Sequence, residues 1–182
     1  MSQMLYSSDF HLGHKAIVKY RDNFSSAKDH DDYLIDKIIQ LPKRTVLTIL
    51  GDFLFDGEHY DEYIERLSKK RCRIKLVMGN HDSRKLYTEK DLHVELQLPL
   101  YSYKNCWVSH MPIHTDEFRR RNLNIHGHLH KEVVMKDAIK SKFGGIIQEN
   151  IRVPDKRYYN VNIDVNNYEF VSWEKIKESI IC

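Results

Sequence analysis

Five short apolar runs in this chain each stop at a carboxylate, an amide or a histidine, and this punctuation constrains the fold more than any other feature. Run 5–8 leads into Asp9-Phe10-His11, run 46–50 into Gly51-Asp52, and run 74–78 into Gly79-Asn80-His81-Asp82. Run 107–109 leads into His110, and run 123–125 passes through His126 into Gly127-His128-Leu129-His130. Runs of this length suit buried strands and are too short for helices. Amphipathic stretches separate them. Leu34, Ile35, Ile38 and Ile39 make a helical stripe in residues 31–40, stopped by Pro42, and Tyr60, Tyr63, Ile64 and Leu67 share one side of residues 58–70. Such alternation predicts an α/β fold, in which ligands gather beyond the carboxyl ends of the strands. The polar residues are therefore expected to meet on one rim.

Further extended segments are expected at 101–109, 122–125, 146–153 and 158–165, with a solvated connection near 140–145. A closing helix over 172–181 carries Trp173, Ile176 and Ile180 on its packed side, with Ser172 as N-cap. The 182 residues fit one domain, 1–182, with enough chain for a sizeable core. No apolar run approaches the roughly 18–20 residues that span a bilayer, and the N-terminus lacks the pattern of a secretory signal. Cys72, Cys106 and Cys182 are widely spaced with no CxxC, so neither a disulfide framework nor a thiolate metal site is indicated. A soluble, cytoplasmic protein without a membrane partner is expected. The net charge of +3 is too small to imply a large nucleic-acid-binding face.

Eleven histidines in this length are many, and several are placed rather than scattered. In extended chain, residues i and i+2 point the same way, so Asp9 pairs with His11 and His128 with His130. Asp52, Asn80 and His128 each follow a glycine, which permits a sharp turn and a close backbone approach. Two carboxylates, an amide oxygen and four imidazoles suit Mn, Fe or Zn better than Ca, Mg or Cu(I). Seven ligands are too many for one transition ion and suit two that share a bridge. Two divalent ions, two carboxylates and a bridging hydroxide leave a residual charge of about +1, which attracts phosphate.

With these residues in view, the sequence resembles the calcineurin-like metallophosphoesterase family. The family's ordered blocks D-x-H, G-D, G-N-H-[DE], H and G-H-x-H stand here as Asp9-Phe10-His11, Gly51-Asp52, Gly79-Asn80-His81-Asp82, His110 and Gly127-His128-Leu129-His130. The resemblance implies a four-layer αββα sandwich, two central mixed sheets flanked by helices. It implies one metal held by Asp9, His11, Asp52 and His130, and a second held by Asp52, Asn80, His110 and His128. Mn is the first expectation, with Fe, Zn or Ni as alternatives. His81 is then the general acid for the leaving group, with Asp82 orienting its ring, and a hydroxide bridging the two ions attacks in line.

The second block departs from relatives that read G-D-x-x-D-x-G, because Phe55 replaces their second Asp and Asp56 falls where protein Ser/Thr phosphatases carry an Arg. A phosphoprotein phosphatase is therefore disfavoured. Arg84 falls where those enzymes place a phosphate-binding Arg, and it reads either as a clamp or as a surface residue at a helix start. The stretch Ser8-Asp9-Phe10-His11-Leu12-Gly13-His14 resembles a compact, capless bacterial and phage branch, where His14 either touches substrate or packs locally.

Other histidines read more plainly. His30, His59 and His93 lie among charged residues and are expected in solvent, His126 is a core or supporting histidine, and His114 lines the cleft. Arg119, Arg120 and Arg121 form an exposed face or, secondarily, hold a nucleic-acid backbone. The expected function is hydrolysis of a phosphodiester or phosphomonoester, leaning towards nucleotide or nucleic-acid phosphodiesters because a short chain leaves the cleft open. The alternative is a catalytically silent binding module used for protein docking. Retention of all seven ligands and His81 favours the enzyme.

Overall fold

The computed structural model describes residues 3–55, 57, 59–83, 87, 92–141 and 148–181. Two sheets form its centre. The first has the order β11-β1-β2-β3-β4, from β1 (Gln3–Ser7), β2 (Thr45–Leu50), β3 (Arg73–Val77), β4 (Val94–Leu96) and β11 (Val171–Ser172). β1 to β4 are parallel and only β11 runs antiparallel. The second sheet has the order β10-β7-β6-β5, from β5 (Leu100–Tyr103), β6 (Cys106–Ser109), β7 (Leu123–His126) and β10 (Tyr158–Asn160). Here β10, β7 and β6 are parallel, and β5 pairs antiparallel with β6. β8 (Met135–Ser141) and β9 (Gln148–Pro154) form a separate antiparallel pair.

Alternation along the strands divides the core. Leu5, Leu47, Ile49, Ile74 and Leu76 face α1 (Ala27–Ile39) and α2 (Tyr60–Ser68), meeting Leu34, Ile35, Ile38, Tyr63, Ile64 and Leu67. Tyr6, Leu50 and Val77 face the other way, against Cys106, Val108, Leu123 and Ile125 of the second sheet. Each such side chain contributes about 1.5–3 kcal/mol on burial. The last helix, α3 (Trp173–Ile181), closes this second core with Trp173 and Ile176. The Ser172 hydroxyl accepts the Lys175 amide at 3.2 Å, so it caps α3 as expected. The outer face of the second sheet is covered by the segment 111–121, whose one helical turn, Thr115–Phe118, is 3-10. Trp107 donates to the Glu117 carbonyl, and Phe118 packs edge-on against Tyr158.

Several boundaries differ from expectation for identifiable reasons. α1 begins a turn earlier because the Ser26 hydroxyl accepts the Asp29 amide, a cap lying upstream of the apolar stripe. The segment 101–109 is two strands, because Lys104 and Asn105 both adopt left-handed backbone (φ 45° and 65°) and turn the chain into a hairpin. Segment 158–165 forms a strand only to Asn160, followed by a single bridge between Asn162 and Ser8, and turns from Ile163. The expected loop near 140–145 falls largely outside the described residues. Cys72 and Cys106 are free and buried. Among the described residues, no helix is long and apolar enough to cross a membrane.

Candidate metal centre

The parallel arrangement brings the carboxyl ends of β1, β2 and β3 to one edge of the first sheet, and those of β6 and β7 to one edge of the second. The five polar turns follow these ends. Pairing continues past the strands: Asp9 N donates to Gly51 O at 2.9 Å, His11 N to Asp52 O at 2.9 Å, and Leu12 N to Phe53 O at 3.1 Å. Gly127 N donates to His110 O at 2.9 Å, and His128 N to the Asp9 carboxylate at 3.0 Å. Four of the five turns are thereby tied to one another, and the turn after β3 joins them through the Asp82 carboxylate, which accepts the Asp52 amide.

Two clusters of ligand atoms result. Asp9, His11 and His130 place theirs within 4.8 Å of one another, and so do Asp52, His110 and His128. Between the clusters lies Asp52 Oδ2, 3.7 Å from His11 Nε2 and 3.6 Å from His110 Nε2. Two ligand bonds of about 2.1 Å each span such a gap with an ion between them. The other oxygen, Asp52 Oδ1, accepts the His81 amide at 2.9 Å, which fixes the carboxylate's rotation. Asn80 stands beside the second cluster, its Oδ1 lying 2.9 Å from His110 Nε2.

Asp9, His11, Asp52, His128 and His130 are not extended but left-handed, with φ of 59°, 52°, 52°, 68° and 49°. Left-handed backbone costs an L-residue about 1–2 kcal/mol, and such strain concentrates at functional sites. In Asp9-Phe10-His11 the repeated twist still aims both ends at one cluster. In His128-Leu129-His130 it sends them to different clusters, which is the division the resemblance implies.

The donor set fits divalent cations. Neither ring nitrogen of buried His11 has a hydrogen-bond partner, an arrangement that water-free protein rarely tolerates. Burial, followed by Arg21, His130, His81 and His14, pushes the His11 pKa down to about 2, keeping the ring in its neutral, ligating form. Burial also pushes the Asp9 carboxyl up, against the pull of Ser8 and His110, and a bound cation would offset that cost. The tautomers agree. His110 Nδ1 faces the Leu50 carbonyl at 2.7 Å, and His130 Nδ1 faces the Asp164 carboxylate at 2.7 Å. Each Nδ1 donates, so in its neutral form each ring presents an Nε2 lone pair.

Glycines permit the approach. Gly51 has φ 86°, and a Cβ there would collide with the His110 ring and with Gly79. Gly51→Ala is accordingly expected to cost more than the roughly 1–2 kcal/mol of the backbone conformation alone, and to lower bound metal by displacing His110. Urea denaturation and metal analysis of the purified variant check this; unchanged stability and full metal content would refute it.

Around the clusters the expected residues are placed as follows. His81 is exposed, with its ring 5.6 Å from His11 and 5.4 Å from Phe55 by centroids. Among the described residues, Asp82 bonds backbone rather than the His81 ring. Its carboxylate accepts the amides of Asp52 (2.8 Å), Phe53 (2.9 Å) and Gly79 (2.8 Å) and the Tyr87 hydroxyl (2.5 Å). It ties two ligand turns together. His81 is oriented by Phe55, which stacks on both it and His14 (5.2 Å) and tilts against His11 (5.4 Å). His14 stands on the wall of a cavity beside His11. Arg84 and Asp56 lie outside the described residues.

His30 is a correction: it is fully buried rather than solvated, because it belongs to a polar chain beneath the site. His114 caps the 3-10 turn, and Arg121 lies over the Trp107 ring at 3.8 Å, on the outer face of the second sheet. His126 is a buried supporting residue whose Nδ1 meets the Gly127 carbonyl. His93 is exposed, as expected, whereas His59 is half-buried, with its ring against Tyr63 and Nδ1 3.5 Å from Glu62.

Two residues of the site escaped the sequence reading, Arg21 and Asp164. The Arg21 guanidinium, in a residue only 2% exposed, donates to the carbonyls of Asp9 (2.6 Å) and Phe10 (3.0 Å). It also pairs with both oxygens of Asp164, at 2.7 and 3.2 Å, and with His30 Nε2 at 2.7 Å. His30 passes the chain to Asp31, whose other oxygen accepts the Gly13 amide. An arginine can only donate, so His30 Nε2 accepts and its proton sits on Nδ1. Burial, partly opposed by Asp31, keeps that ring neutral. For Asp164, burial acts to raise the pKa, but His130 and Arg21 outweigh it and hold the carboxyl at about 2.

Comparison with known proteins agrees with this geometry. The chain is 29% identical over 164 residues to the Gene 66 protein of Mycobacterium phage D29, covering 74% of this chain and 81% of the relative. It is 25% identical over 173 residues to the Gene 66 protein of Mycobacterium phage L5, covering 76% and 83%. A crystal structure of the Aquifex aeolicus protein of unknown function AQ665 superposes over 98% of this chain and 99% of that one, with a TM-score of 0.68 and 20% identity, and so shares its fold. A family model described as calcineurin-like phosphoesterase matches residues 5–177, spanning every ligand turn from Asp9 to His130, and the chain belongs to that family.

Proposed function

We propose that this protein hydrolyses phosphate esters at a pair of divalent ions, manganese first among them, with nucleotide or nucleic-acid phosphodiesters as the favoured class. The observation that carries the reading is the place of Asp52 Oδ2, midway between two ligand clusters. Asp9, His11, Asp52 and His130 would hold one ion, and Asp52, Asn80, His110 and His128 the other. Bound there, the ions would supply positive charge for the phosphoryl oxygens and a water of lowered pKa as nucleophile. The chain's own contribution is positional and acidic. Asp82 holds the turns of Asp52 and Gly79 in register, and Asp52 Oδ1 holds the His81 backbone. The exposed His81 ring, steadied by Phe55, donates a proton to the departing oxygen, without which an alkoxide leaves poorly. Asn80 and His81 are both exposed, so the cleft admits esters larger than a small monoester.

With added manganese, the purified protein is expected to hydrolyse a nitrophenyl phosphodiester or monoester reporter. His81→Ala should lose about 10²–10⁴-fold in rate while elemental analysis shows its metal content unchanged. Metal loss in that variant would overturn the assigned role. A metal-loaded wild-type protein inert towards both reporters and towards oligonucleotides would favour the docking module.

A further inference from the structure

A cavity of about 390 Å³ opens directly beside the Asp9, His11 and His130 cluster. Ile17, Tyr20, Leu129 and Lys131 line it together with His11 and His130. We propose that this cavity is a nucleobase subsite, in which a heteroaromatic ring of the substrate stacks on Tyr20 while Lys131 meets its phosphate side. The inference rests on the phosphate-ester reading above and deepens it by naming the group that accompanies the phosphate.

Tyr20 carries most of the argument. At 71% exposure it is the most exposed large hydrophobic side chain among the described residues, on a molecule whose other large aromatics are mostly packed. Its backbone is nevertheless rigid. The Tyr20 amide closes the 3-10 turn Ile17–Lys19 on Ile17 O at 3.0 Å. The next residue, Arg21, is pinned to the carbonyls of Asp9 and Phe10. The Tyr20 backbone is thus held relative to the metal ligands, and its ring stands uncovered where a base could stack on it. Leu129 is equally anchored, standing between His128 and His130.

The volume is that of a small-ligand site, and the wall chemistry selects its occupant. An aliphatic chain would match Ile17 and Leu129 but would leave Lys131 and Glu132 without partners at the mouth. A nucleobase offers an apolar face to the ring and donors and acceptors along its edge, and the attached phosphate offers charge to Lys131, which makes no ion pair among the described residues.

Titration calorimetry of the manganese-loaded protein tests this with the carbon-bridged, non-hydrolysable phosphonate analogues of adenosine 5′-monophosphate and ribose 5-phosphate. Stacking of one base on an aromatic side chain is expected to make the adenosine ligand bind about 5- to 100-fold more tightly than the ribose ligand. Tyr20→Ala, a change at an exposed side chain, should bring that ratio close to one, and Tyr20→Phe should preserve it. Equal affinities in the wild type, or a ratio that Tyr20→Ala leaves unchanged, would overturn the subsite. Hydrolysis of nitrophenyl reporters without any base preference refutes the subsite alone. A Tyr20-dependent base preference in a protein inert to every ester upholds it and refutes the catalytic reading instead.

Discussion

Asp52→Asn is expected to abolish both metal retention and phosphoesterase activity, with a rate loss on the order of 10³-fold or more. The reason is the division of labour between its two oxygens. Oδ1 is committed to the His81 amide at 2.9 Å, so only Oδ2 faces His11 on one side and His110 on the other. An amide in this place offers one neutral acceptor. If its oxygen keeps the His81 amide, an NH₂ group points between the clusters and repels cations. If the amide flips, the oxygen is gained but the bond to His81 is lost and the negative charge remains absent. Either rotamer disables both ion positions. Asn80→Ala, by contrast, removes a ligand from the second cluster alone. Elemental analysis after dialysis, alongside the reporter assay, separates these outcomes. An Asp52→Asn protein that retains two ions per chain would refute the bridging role, whatever its activity.

The location of the site was legible because its chemistry is written at strand ends. Gly51-Asp52, Gly79-Asn80 and Gly127-His128 each mark a place where a side chain must turn over a sheet edge, and the glycines are required sterically. A Cβ on Gly79 would strike the Asp52 carboxylate, and one on Gly127 would strike Ser8 and Asp9. Runs such as 46–50 announce buried parallel strands by composition alone, and β2 occupies 45–50. Of the two residues that escaped notice, only Arg21 lacks that local signature. Arg21 follows a single 3-10 turn with no motif around it, and its importance comes from carbonyls and a carboxylate far along the chain. Asp164 did carry the signal, since it follows Val161-Asn162-Ile163 as Asp9 follows its own strand. A strand drawn through to Val165 conceals it, whereas β10 ends at Asn160, a single bridge joins Asn162 to Ser8, and the chain turns from Ile163. Phe55 was visible only as a departure from a family pattern. Its function, holding three imidazoles by ring contact, depends on packing that no spacing rule expresses. Asp82 shows the converse: the position was found, but its partners are the Tyr87 hydroxyl and backbone amides at the ends of two neighbouring strands.

The second large effect is expected beneath the site, at the Arg21–Asp164 pair. Removing one partner of a buried, fully bonded ion pair leaves the other charge without compensation and typically costs about 3–5 kcal/mol. Arg21→Met should fall in this range by urea denaturation, since it also strips donors from the carbonyls of Asp9 and Phe10 and from His30. Asp164→Asn should destabilise as well, and the double variant should be more stable than the sum of the two losses implies, because neither charge is then stranded. The acid limb gives an independent check. The Asp164 carboxyl is held below its ordinary value, at about 2, so its contribution is fully present above the unfolded value near 3.8. It is lost as pH falls through about 2. Asp164→Asn should therefore narrow its deficit against wild type between about pH 4 and pH 2 and show the whole deficit at neutral pH. The pair also reaches the metal centre, because the Asp164 oxygen that meets Arg21 Nη2 accepts from His130 Nδ1. Losing such a supporting carboxylate weakens metal binding by about 10–100-fold. The loss should fall on the Asp9, His11 and His130 cluster and spare the other, so that Asp164→Asn retains one tightly bound ion where wild type retains two. Equal weakening of both positions would show that Asp164 acts through general loosening of the fold and not through the His130 ring.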